Sequence, residues 1–142
     1  MKTVFIDTNV LLDIFLNRMP FRLDAVDIFR EAEEETIEVF TSSISIANIA
    51  YGIQKHVGKS QVRPALSKIM SITQIVETDR SAILSAIASG FSDIEDAFQH
   101  YSALKIPGID FIITRNTSDY KHSLIPVISP KEFLRHLKNT ES

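Results

Sequence analysis

The stretch Thr3-Val4-Phe5-Ile6-Asp7-Thr8-Asn9-Val10-Leu11-Leu12-Asp13-Ile14-Phe15-Leu16 decides how the rest of the chain is read. Residues 3–6 form a short apolar run of strand-favouring types. Asp7, Thr8 or Asn9 then offers a side-chain oxygen to the free N–H groups that open a helix, and 10–16 supplies its apolar body. A strand passing directly into a helix is the opening of a parallel α/β unit.

Working outward, the alternation continues. Pro20 restarts helix formation, and Phe21, Ala25, Ile28, Phe29 and Ala32 recur at helical spacing. Residues 38–41 read as a second strand. Ser42 or Ser43 opens a helix with Ile46, Ile49, Ala50 and Ile53 on one face, ended by Gly58, and 61–70 continues as another. Residues 72–76 are a third strand, and Thr78-Asp79 caps a helix through Gly90. Ser92 or Asp93 caps a helix to about Lys105, with Ile94, Ala97, Phe98 and Tyr101 facing inward. After the turn at Pro107-Gly108, residues 109–113 give a fourth strand and 126–128 a fifth, and Ser129-Pro130 opens the last helix. The pattern predicts an α/β protein: one domain over residues 1–142, a three-layer α/β/α sandwich around a mostly parallel sheet of about five strands.

Composition narrows the function. The 142 residues contain no cysteine, which removes disulfides, thiolate nucleophiles and cysteine-ligated metal centres. Four glycines are too sparse for a glycine-rich phosphate loop. No apolar run approaches the roughly 18 residues that span a bilayer, and the strand-like start is unlike a secretory leader, so a soluble cytoplasmic protein is expected. Net charge is −3, but its distribution is uneven. Nine of the 18 acidic residues fall within 1–40, while 55–70 holds Lys55, His56, Lys59, Arg63 and Lys68 with no acid. That basic segment is either a solvated helix face or a stripe that follows phosphates.

In open α/β sheets, sites lie beyond the carboxyl ends of the strands, where neighbouring connections diverge. Asp7 follows the first strand, Thr114, Arg115, Asn116 and Asp119 follow the fourth, and Asp93, Glu95 and Asp96 open the helix before it. If strands one and four are neighbours, these groups meet. Converging carboxylates repel unless a cation sits between them, and hard divalent ions such as Mg²⁺ or Mn²⁺ take oxygen ligands. Taken singly, Asp7 and Asp93 are also good helix caps, and Asp119 an ordinary turn residue.

The motifs Phe5-Ile6-Asp7-Thr8-Asn9-Val10-Leu11-Leu12-Asp13, Ile94-Glu95-Asp96-Ala97-Phe98-Gln99-His100-Tyr101-Ser102-Ala103 and Asp110-Phe111-Ile112-Ile113-Thr114-Arg115-Asn116-Thr117-Ser118-Asp119-Tyr120 resemble those of PIN domains, the nuclease module of VapC-type toxins. Residues 125–134 are similar to the family's closing strand and helix. The resemblance spans nearly the whole chain and is weakest over 55–90. It implies an acidic pocket that binds Mg²⁺ or Mn²⁺ and cleaves RNA, single-stranded or structured. It also implies an antitoxin protein as partner and a homodimer. Carried over by position, Asp7, Asp96 and Asp119 would be the metal and catalytic carboxylates, with Asn9 and Thr114 as polar neighbours. Asp93 would orient a water or complete a second ion site.

Two positions depart from the family pattern. Asn48 and Asn116 stand where many members carry acids, and an amide neither neutralises a cation nor accepts a proton at neutral pH. A second reading therefore stays open: a catalytically weakened PIN-like module that binds RNA or protein. Lys55, Lys59, Arg63 and Arg115 are candidate phosphate contacts, and Tyr51 or Tyr120 a candidate platform for a base. His100, four residues after Asp96, is read as a packing or surface residue before a functional one.

Overall fold

Polypeptide order is set by five short strands, each delivered to the sheet from the same end. The computed structural model describes residues 1–140. Its strands are β1 (Lys2–Ile6), β2 (Ile37–Ser42), β3 (Gln74–Val76), β4 (Phe111–Ile113) and β5 (Val127–Ile128), in spatial order β3-β2-β1-β4-β5 with every pairing parallel. Seven helices flank them: α1 (Thr8–Phe15), α2 (Phe21–Glu33), α3 (Ser43–His56), α4 (Val62–Ile72), α5 (Arg80–Ile87), α6 (Ile94–Ala103) and α7 (Pro130–Thr140).

The two-residue period of β1 divides the core. Val4 and Ile6 point to the face covered by α1, α2, α3, α4 and α7, where Leu11, Ile28, Ile49, Ile69 and Phe133 are buried with them. Phe5 points to the opposite face, packed with Ala103 of α6, Ile106, Ile112, Tyr120 and Ile125. Each such side chain taken fully out of water contributes roughly 1.5–3 kcal/mol before entropy is counted. The result is the α/β/α sandwich that the strand–helix alternation predicts.

The helix starts are chosen by side chains that accept backbone N–H bonds. Asp7 caps α1, Ser42 caps α3, Asp79 caps α5 and Asp93 caps α6. In α2 the helical stripe holds for Ala25, Ile28, Phe29 and Ala32, but Phe21 is 44% exposed. It sits at the first turn, where its ring lies 4.0 Å from the Arg115 guanidinium carbon instead of in the core. The third strand is shorter than expected because α4 runs through Ile72, with the Thr73 hydroxyl donating to the Ile69 carbonyl at 2.8 Å. In α6 the inward face is Ala97, Gln99, His100, Ser102 and Ala103, while Ile94 is 47% exposed. The reading by hydrophobicity fails there because Gln99, Ser102 and His100 Nε2 find hydrogen-bond partners inside, which lowers the penalty for burying them, although His100 Nδ1 has no partner.

The order β2-β1-β4 makes β1 the strand from which the connections depart to either side. Its carboxyl end opens the crevice where an α/β sheet builds its site. The Asp7 N–H donates to the Ile113 carbonyl at 3.0 Å, which ties the residue just past that strand to β4. Among the described residues no helix is long and apolar enough to cross a membrane.

Candidate active site

Asp7 is 1% exposed at the mouth of this crevice. Its Oδ1 accepts from the Asn9 N–H at 3.2 Å and from Gln99 Nε2 at 3.1 Å, and its Oδ2 accepts from the Thr114 hydroxyl at 2.7 Å. Burial pushes the carboxyl above its ordinary value, and those hydrogen bonds and the charge of Arg115 offset the rise only in part. Asp96, in the first turn of α6, lines the same pocket of about 260 Å³. Its carboxyl is pushed up to about 7, first by burial and then by the negative charges of Asp7, Asp93 and Asp119. Asp7 and Asp96, 89 positions apart in sequence, therefore sense one another.

The remaining candidates fall into distinct places. Asn9 and Asn48 line the pocket with Glu95, Arg18, Tyr51, Lys55 and His56. Thr114 is fully buried beneath Asp7, and its hydroxyl accepts from the Asn116 N–H at 3.1 Å. The Asn116 side chain is exposed. Asp93 and Asp119 are exposed and do not line the pocket, though both are near enough to raise Asp96. Lys59, just before α4, and Arg63, in its first turn, are exposed and do not line the pocket. Arg115 is committed elsewhere: Nε and Nη2 donate to the two oxygens of buried Asp13 at 2.6 and 3.0 Å, and its plane rests on Phe21. Tyr51 is 68% exposed at the rim, whereas Tyr120 is 2% exposed and points its hydroxyl into the site.

His100 is structural. It is fully buried, its Nε2 accepts the Leu124 N–H at 3.0 Å, and its ring packs on Phe91 and Tyr101. Burial lowers its pKa to about 4, so it is neutral at physiological pH.

Among the described residues, no three His, Cys, Asp or Glu side chains are placed to hold an ion unaided. The donor set nonetheless fits a hydrated hard cation. Asp7 Oδ2 has one hydrogen-bond donor, and Asp96 accepts only a long 3.4 Å bond from Tyr120, which leaves lone pairs free. Burial and then the negative charges of Asp7, Asp93 and Asp119 raise the Asp96 pKa, with only the Tyr120 hydrogen bond opposing them. Mg²⁺ characteristically takes one or two carboxylates and keeps waters or substrate phosphates for the rest of its shell.

A PIN domain family model matches residues 3–118. The chain belongs to the PIN domain family. A curated relative, ribonuclease VapC1 of Aquifex aeolicus (strain VF5), is 27% identical over an alignment of 137 residues that covers 93% of this chain and 93% of that one. The fold of this PIN domain is also that of three solved assemblies. VapBC from Salmonella typhimurium bound to DNA aligns with TM-score 0.66 at 13% identity, over 92% of this chain and 99% of that one. VapBC2 from Rickettsia felis, bound to a DNA fragment from its promoter, gives 0.65 at 14%, over 89% and 98%. A toxin–antitoxin complex from Klebsiella pneumoniae gives 0.61 at 23%, over 89% and 97%.

Sequence reasoning missed Gln99. Its Oε1 accepts from the Thr8 N–H at 2.9 Å, the Thr8 hydroxyl at 3.0 Å and the Ser45 hydroxyl at 3.3 Å, while its Nε2 reaches Asp7 and the Tyr120 oxygen. The available signal was positional: Gln99 lies three residues after Asp96, on the same side of the helix.

Proposed function

We propose that this PIN domain, residues 1–142 acting as one unit, is a VapC-like toxin and a metal-dependent endoribonuclease. The observation that supports this best is the meeting of Asp7 and Asp96 in one pocket at the carboxyl end of β1, where burial and then the neighbouring acids raise Asp96 to about 7. Asp7 and Asp96 hold Mg²⁺ or Mn²⁺, and Asp119 adds negative field from outside the pocket lining. When bound, the ion supplies Lewis-acid activation of water and screens the scissile phosphodiester.

The chain's own residues do the rest. Thr114, Gln99 and the Asn9 N–H fix the Asp7 carboxylate in one orientation, so its charge is aimed before substrate arrives. Asn48 and Asn9 offer neutral carbonyl and amide groups along the wall. Lys55 and Arg18 line the same pocket and draw an RNA backbone toward an otherwise acidic site, and Tyr51 presents an exposed ring to a base. The partners that fit this reading are an RNA substrate, an antitoxin protein that silences the pocket, and a second copy of the chain. The setting is cytoplasmic.

The test is incubation of purified protein with a mixed single-stranded RNA pool, in Mn²⁺ or in EDTA, beside Asp7→Asn and Asp96→Asn. Cleavage that requires metal and disappears in both variants is the expected result. A folded wild-type protein that leaves RNA intact in Mn²⁺ would overturn it and favour the binding module that Asn48 and Asn116 suggest.

A further inference from the structure

Gln99 is 3% exposed, yet its carboxamide makes five hydrogen bonds that join β1's end, α1, α3, α6 and the turn at 117–120. The partners allow only one orientation of the amide. Oε1 faces three donors, one of which is a backbone N–H that cannot reverse its role, and Nε2 faces a carboxylate. Because Nε2 also donates to the Tyr120 oxygen at 3.3 Å, the single Tyr120 proton is free to point at Asp96 Oδ1, 3.4 Å away. One neutral side chain thus reaches Asp7 directly and Asp96 through a phenol.

We propose that Gln99 and Tyr120 are positioning residues that form a directed hydrogen-bond relay holding the two candidate metal carboxylates in register. The proposal rests on the functional reading above only for what the carboxylates hold; the relay itself is a property of the protein without metal. Its chemistry suits the task. A lysine or arginine at position 99 would neutralise Asp7 and compete with a cation, and a glutamate would repel it. A carboxamide orients the acid without altering the pocket's charge. The relay is anchored at its far end by the buried Ser42–Ser45 hydroxyl pair, 2.7 Å apart, so α3 and the end of β2 brace it as well.

The experiment compares wild type with Gln99→Met, Tyr120→Phe and the double variant, each first shown by circular dichroism to be folded. Mn²⁺ affinity is measured by calorimetry without RNA. Loss of a residue that orients a metal ligand typically weakens binding about 10–100-fold, and that is expected for Gln99→Met. Tyr120→Phe should weaken it less, and the double variant should fall well short of the product of the two single effects, because both act through one chain of bonds. A folded Gln99→Met that binds Mn²⁺ within twofold of wild type, or a double variant that equals the product, would overturn the relay.

A second measurement covers variants that fail to fold and separates this proposal from the functional one. In metal-free wild type, the Gln99 side-chain amide protons should exchange slowly with water by nuclear magnetic resonance, and their shifts should move in Asp7→Asn and in Tyr120→Phe. Fast-exchanging protons, or shifts that ignore both substitutions, would overturn the relay. If wild type binds no Mn²⁺ while its amide protons behave as expected, the relay stands and the nuclease reading falls.

Discussion

The ion pair between Asp13 and Arg115 ties the end of β4 to α1, and its removal should cost more than any other single polar change outside the pocket. Asp13 is 1% exposed, and both of its oxygens accept from Arg115, with Arg18 Nη1 3.7 Å from Oδ1. Breaking a fully buried pair by deleting one partner costs about 3–5 kcal/mol, because the remaining charge is left without compensation. Arg115 retains 23% side-chain exposure and can turn to water after Asp13→Ala, so the expected loss is about 2–3 kcal/mol. At about 4 °C per kcal/mol for a chain of this size, the midpoint should drop by about 8–12 °C. Arg115→Lys should cost about half as much, since a single ammonium cannot bridge both oxygens or stack on Phe21. The assay is thermal unfolding by circular dichroism at neutral pH in moderate salt. A drop of less than about 2 °C for Asp13→Ala would mean that the pair is a bystander, and the reasoning from burial and bidentate geometry would be refuted.

Three further outcomes follow from the same structure. His100 has a folded pKa of about 4 against the ordinary 6.5, so the unfolded state binds the extra proton between those values and stability should fall as pH drops through that window. Melts of wild type should therefore decline more steeply from pH 6.5 to 4 than those of His100→Gln, and parallel curves would contradict the assignment. Asp96 is shifted the other way, from 3.8 to about 7, so its contribution is present at low pH and lost as pH rises through 7. Metal-free Asp96→Asn should melt above wild type at pH 8, with the gain shrinking toward pH 4; a variant less stable at pH 8 would sink this. Tyr51→Ala should raise the KM for single-stranded RNA about fivefold with kcat held and Tyr51→Phe near wild type, the low end of stacking energies for an exposed ring. An unchanged KM would remove Tyr51 from the substrate path.

The sequence made the architecture legible because each local signal agreed with the others. Short β-favouring runs, capping residues and apolar stripes all pointed to parallel α/β units, and Asp7 drew notice because it stands directly after the first strand. Asp96 could be placed near it once β4 was set beside β1. What stayed hidden has a common physical cause. Gln99, His100 and Ser102 are polar residues on the buried face of α6, and hydrophobic periodicity has no means of registering a polar group whose partners arrive from elsewhere in the chain. The Gln99 partners Thr8 and Ser45 lie 91 and 54 positions away, and Arg115 finds Asp13 across 102. Arg115 reads in sequence as a phosphate contact because its charge is visible and its buried acidic partner is not. Tyr120 likewise reads as a stacking platform, while its burial and hydroxyl direction become apparent only in three dimensions.

The central claim is that Asp7 and Asp96 form one cation site although 89 positions of sequence separate them. Calorimetric titration of Mn²⁺ into metal-free wild type, Asp7→Asn and Asp96→Asn tests it most directly. The account predicts saturable binding by wild type and a large loss in each variant, with both proteins still folded. Binding that persists at wild-type strength in either variant, or no binding by folded wild type, would contradict it.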